Sequence, residues 1–168
     1  MSGESFFLDV AKIAITIAGF VGVVAALRHQ RDEEWKHNEL YGVKLMIEHS
    51  LAAVLAGLLP SVLSLAFADE ATVWRLCSAL LAAFLAFEVL INIFRVKHAT
   101  AAGTPPRSFA LLVFTFFVPA LVVLYFQVQN IYQWHGPLAV ACGALWLLAA
   151  GGIQFMHFLV RVKVAKGA

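Results

Sequence analysis

Apolar residues run along this chain in five long stretches, near Phe6–Leu27, Tyr41–Phe67, Thr72–Phe94, Ser108–Phe126 and Pro137–Val160, with polar residues gathered between them. A helix needs about 20 residues to cross a bilayer, and these stretches meet that length. None alternates with period two, and all are far longer than strands, so a strand reading fails. The pattern predicts an all-α integral membrane protein with five transmembrane helices per subunit, forming a single transmembrane helical domain over residues 1–168. The first stretch does not read as a secretory signal: Glu4 and Asp9 stand where a signal carries positive charge, and no small-residue cleavage site ends it.

The connections carry charge unevenly. Arg28, Arg31 and Lys36 follow the first stretch, Arg95, Lys97 and Arg107 the third, and Arg161, Lys163 and Lys166 the fifth. The second connection is Ala68–Asp69–Glu70–Ala71, and the fourth, Gln127 to Gly136, has neither Lys nor Arg. Lys and Arg stay on the cytoplasmic side during insertion, so the pattern predicts an N-terminus outside and a C-terminus in the cytoplasm. A multi-pass protein of the cell inner (plasma) membrane follows as the expected location. Trp74, Tyr125, Tyr132 and Trp134 would lie at the outer interface, and Trp35 and Tyr41 at the inner one. Pro60 and Pro119 fall inside stretches two and four, where each frees a carbonyl and bends its helix.

Composition narrows the classes. Of 168 residues, 62% are apolar and 13% charged, with a mean hydropathy of +0.86. Soluble domains carry about a quarter charged residues. An ordinary soluble enzyme and a disordered chain are excluded on that ground. A net charge of +2 offers no basic face for nucleic acid.

Against this background the intramembrane polar residues stand out, because charge at membrane depth is costly. Glu48 and His49 lie about two helical turns inside the cytoplasmic end of the second stretch. Glu88 lies at similar depth in the third, with Asn92 and Arg95 on its face, and Gln154 and His157 in the fifth, with Arg161 a turn below. Carboxylates, imidazoles and amides from three helices thus share one layer. The sharper expectation is an ion or proton pathway, with Glu48 and Glu88 binding a cation or proton and His49 and His157 relaying it. The plainer one is a hydrogen-bonded clasp, with Lys44 or Arg95 neutralising the carboxylates.

A second polar set, Asp9, Lys12, Thr16 and Gly19, follows at helical spacing on one face of the first stretch. Asp9, Lys12 and Thr16 would form a pore mouth if this helix lined a channel, whereas the simpler reading is an intrahelical Asp9–Lys12 pair. Ala14, Ala18, Gly22 and Ala26 repeat every fourth position, a spacing suited to close helix packing.

Nothing in the short connections supports catalysis. There is no HExxH, GxSxG, Walker or GxGxxG motif and no CxxC, so neither a metal site nor an enzyme is expected. Cys77 and Cys142 read as small packing side chains. His49 and His157 on separate helices would suit a b-type haem, which ranks third. The leading expectation is an oligomeric proton or cation channel. Its alternative is a non-conducting accessory or scaffold subunit of a larger membrane complex. The expected partners are the lipid bilayer, further copies or a larger complex, and protons or small cations.

Overall fold

The apolar stretches fold as five helices: α1 Glu4–His29, α2 His37–Ala66, α3 Glu70–Ala101, α4 Arg107–Gln129 and α5 Pro137–Ala165. This computed structural model describes residues 3–29, 37–101 and 107–165, with side chains described over 3–26, 43–94 and 116–156. The side chains of the basic connection residues, and of Trp35, Tyr41 and His157, lie outside that set. Among the described residues no strand occurs. Four segments, Glu4–Ala26, Val43–Ala66, Glu70–Phe94 and Pro137–Met156, are long and apolar enough to cross a membrane.

Local chemistry explains the helix boundaries. Asp69 caps α3: its carboxylate accepts from the backbone N–H of Thr72 at 2.9 Å and of Ala71 at 3.3 Å, and from the Thr72 hydroxyl at 2.5 Å. A carboxylate there satisfies amides that the helix leaves without partners. Those hydrogen bonds, led by the Thr72 hydroxyl, hold Asp69 below its ordinary pKa of 3.8. Pro137 opens α5, where a residue without an N–H loses nothing. Pro60 and Pro119 lie inside α2 and α4 as expected.

One connection differs from the pattern's forecast. The helix after Phe126 continues to Gln129 and then widens into a π-helical turn over Asn130–Trp134, leaving only His135 and Gly136 before α5. His135 adopts the left-handed region at φ 50°, and its backbone N–H reaches the Asn130 carbonyl at 3.2 Å, closing the widened turn. The polar side chains here serve the backbone, which is why a polar stretch stays helical.

Packing divides the chain into two compact units, Met1–Leu59 with Leu147–Ala168, and Pro60–Trp146. In the first, α1 and α2 meet through small residues. A Cβ on Gly57 would lie 2.6 Å from the Phe7 carbonyl oxygen and 3.0 Å from the Ala11 Cβ, so only glycine allows that approach. Val21, Val43 and Met46 form a buried cluster, with Phe155 packed against it. In the second unit, α3 packs on α4 and on the π-helical turn. A Cβ on Gly143 would collide with Leu81, so α5 presses on α3 at that point.

Trp74 is packed inside the second unit. It is 2% exposed, and its indole N–H reaches Glu70 at 3.3 Å. The acid one turn earlier provides the acceptor that an interface would otherwise supply. Tyr125, Tyr132 and Trp134 are exposed.

Candidate functional site

In the first unit α2 and α5 bring polar side chains together. His49 and Ser50 are adjacent on α2, and both are buried. Gly151 on α5 stands against them: a Cβ there would lie 3.3 Å from Ser50 Oγ and 3.7 Å from His49 Cβ. Gln154 follows Gly151 by three residues, hence on the same side of α5. The Ser50 hydroxyl and the Gln154 Oε1 are removed from solvent and have no hydrogen-bond partner among the described residues. The mid-helix hydroxyl thus forgoes the bond to a preceding carbonyl that serine often makes.

The His49 ring is oriented by its own helix. Its Nδ1 lies 2.8 Å from the Leu45 carbonyl oxygen. A carbonyl only accepts, so Nδ1 carries the proton in that contact. Glu48, next in sequence, points elsewhere. It is half-buried and pairs with Lys44 one turn away at 3.6 Å, the local neutralisation anticipated for it. Adjacent helical residues lie about 100° apart, which separates Glu48 from the His49–Ser50 contact with α5.

Glu88 and Asn92 belong to the second unit, where both are half-buried on one face of α3. The His157 side chain lies outside the described residues. Of the six residues placed in one layer by sequence, His49 and Gln154 therefore fall within the α2–α5 contact region around Gly151. Ser50 joins them without having been singled out, because a lone serine in an apolar run carries no signal until its burial is known.

On α1, the Lys12 ammonium meets the Asp9 carboxylate at 3.0 Å, and the Thr16 hydroxyl donates to the Lys12 carbonyl at 2.9 Å. All three side chains are exposed. Ala14 is fully buried and Ala18 half-buried, while Gly22 and Ala26 are exposed. A strict four-residue repeat precesses by about 40° per step on a helix of 3.6 residues per turn. The four residues therefore wind off the packed face.

The second unit holds a separate polar clasp. Asn130, in the π-helical turn, donates to Ser78 Oγ at 2.8 Å and to the Gly136 carbonyl at 2.9 Å, and accepts from the Gly136 N–H at 2.9 Å. Gln127 donates to the Ala139 carbonyl at 2.6 Å, and its Oε1 is buried without a partner among the described residues. Arg75 donates from Nε to the Ile131 carbonyl at 3.0 Å. Ser78, Gln127 and Asn130 are each 1% exposed or less. The clasp ties α3, the π-helical turn and α5, and its chemistry is that of backbone satisfaction.

Among the described residues no cluster of three or more His, Cys, Asp and Glu comes together to hold a metal ion. The side chain of His157, the second haem ligand expected beside His49, lies outside the described residues. Cys77 and Cys142 are free thiols, the first buried and the second half-buried.

No protein-family model, curated protein or solved structure matches this chain.

Proposed function

We propose that the chain is a five-span membrane protein, N-terminus outside and C-terminus in the cytoplasm, that passes protons or small cations along the polar side of α2 and α5. The observation carrying this reading is that two oxygens removed from solvent, Ser50 Oγ next in sequence to His49 and Gln154 Oε1 a turn beyond Gly151, have no hydrogen-bond partner among the described residues. An unsatisfied buried polar group costs about 1–3 kcal/mol, and alanine or leucine would avoid that cost. Oxygens without partners among the described residues, set between apolar helices, suit transient ligands: water, a hydrated proton or a small cation. His49, buried on the same stretch of α2, adds an imidazole to this contact with α5. The Lys44–Glu48 pair holds the neighbouring carboxylate neutralised and half-exposed, where it meets ions arriving at the face.

Flux into proteoliposomes under a pH or voltage gradient tests the reading. Parent protein is expected to conduct, and Ser50→Ala, Gln154→Leu and His49→Gln to reduce flux, with Glu48→Gln altering its ion or pH dependence. Glu88→Gln, measured separately, shows whether α3 contributes. Absence of flux from the parent above empty vesicles would sink the proposal and leave the accessory-subunit reading. Unchanged flux in all three α2 and α5 variants would move the path away from this face.

A further inference from the structure

We infer that the exposed face of α1 is a docking surface for a second copy of this chain, formed by two parallel α1 helices related by a two-fold axis. Asp9, Lys12, Thr16 and Gly19 follow at helical spacing on this face, and all four are exposed. The ammonium and carboxylate, 3.0 Å apart, belong to side chains 74% and 64% exposed. They lie within a segment, Glu4–Ala26, long and apolar enough to cross a membrane. Charged groups on an uncovered face of such a helix are costly unless further polar groups surround them.

Below the pair the face is open. Among the described residues nothing lies within 4 Å of where a Cβ on Gly19 would stand. Gly57, by contrast, is required by the backbone it touches. Contacts among the described residues therefore do not explain Gly19, which flattens the face enough for another backbone to approach closely.

Charge arrangement selects a second copy as the occupant. Copies of one chain insert in one direction, so their α1 helices run parallel and a two-fold axis along the membrane normal relates them. Helical side chains lean toward the N-terminus, and Lys12 already reaches the level of Asp9. A two-fold copy then sets each ammonium between its own carboxylate and the carboxylate of the other chain. The pattern is self-complementary, acid to base twice over, as an isologous contact demands. A foreign helix would have to bring a matching pair at the same depth, whereas a second copy brings one by symmetry. This inference assumes that the chain spans the membrane and is independent of any transport along α2 and α5.

The test uses full-length chains with two different tags, reconstituted at high lipid dilution, with pairing read by single-molecule co-localisation. Asp9→Lys and Lys12→Asp chains each carry like charges at both positions and lack the local pair. Each alone is expected to pair at least about tenfold more weakly than the parent. Mixed together they should pair nearly as well as the parent, because the bases of one chain then face the acids of the other. A Cβ at Gly19 meets no described atom within 4 Å, so Gly19→Leu should leave thermal unfolding unchanged or raised while pairing falls about tenfold. A parent that stays single, charge variants that pair like the parent, a mixture no better than its components, or undiminished pairing of Gly19→Leu would each overturn the inference. Co-isolation of a foreign membrane protein on this face in place of a second copy would overturn it too.

Discussion

Gly57 and Phe7 stand backbone to backbone: a Cβ on Gly57 would sit 2.6 Å from the Phe7 carbonyl oxygen. A backbone oxygen within a helix has no rotamer by which to move aside. This contact therefore sets how closely α1 and α2 approach, and with it the burial of Phe7, Ala11 and Ala14.

Gly57→Ala is accordingly expected to destabilise the protein, even though alanine is the better helix former by about 1 kcal/mol. Overpacking typically costs about 1–3 kcal/mol and should outweigh that gain. Gly152→Ala, with nothing among the described residues within 4 Å of its would-be Cβ, is the control and should be neutral or stabilising. Thermal unfolding of both variants in one detergent decides the point, and equal midpoints would refute the contact.

Asn130→Leu removes the side chain that satisfies both backbone groups of Gly136 and also binds Ser78. Leaving buried groups unpaired costs about 1–3 kcal/mol. Ser78→Ala should cost less, because Asn130 keeps its bonds to Gly136. Denaturant or thermal midpoints should rank parent above Ser78→Ala above Asn130→Leu, with faster amide exchange at Gly136 in the last.

Ser50→Ala is expected to leave stability unchanged or raised, since it deletes a hydroxyl that has no partner among the described residues. The same variant is expected to lose flux. That combination separates a functional hydroxyl from a structural clasp, which would lose stability instead. A clear fall in the unfolding midpoint would point to the clasp.

Acid should loosen the start of α3. The Asp69 carboxylate is held below its ordinary value of 3.8, first by the Thr72 hydroxyl and then by the Thr72 backbone N–H. The folded state thus binds this proton more weakly than the unfolded chain. The cap's contribution is present above about pH 4 and is lost as pH falls through the lowered folded value. Comparing parent with Asp69→Asn between pH 6 and 2 isolates this cap, because asparagine can still accept from the amides but does not titrate. The parent's midpoint should fall relative to the variant only at the acid end; parallel curves would rule the effect out.

Much of this protein is legible in one dimension. Five helices follow from the length of the apolar runs, because apolar transfer energy is local and additive along the chain and a bilayer demands a set length. Pro60 and Pro119 inside helices, and the pairing of Lys44 with Glu48 and of Asp9 with Lys12, are also short-range properties of spacing.

Which side of each helix is buried is a different kind of fact. It depends on how each helix is rotated against its neighbours, and that rotation is set where glycines let backbones touch: Gly57 on α1, Gly143 against Leu81, Gly151 on Ser50. Those contacts bury Ser50, turn Glu48 outward beside a buried His49, and leave Gly22 and Ala26 exposed though they share a repeat with buried Ala14. Likewise Asn130 reads in sequence as a loop residue, and only the neighbouring Ser78 and Gly136 make it a clasp. Hydropathy adds up residue by residue, whereas burial is decided by partners distant in the chain. The helices were therefore readable from the residues, and the polar faces from the packing alone.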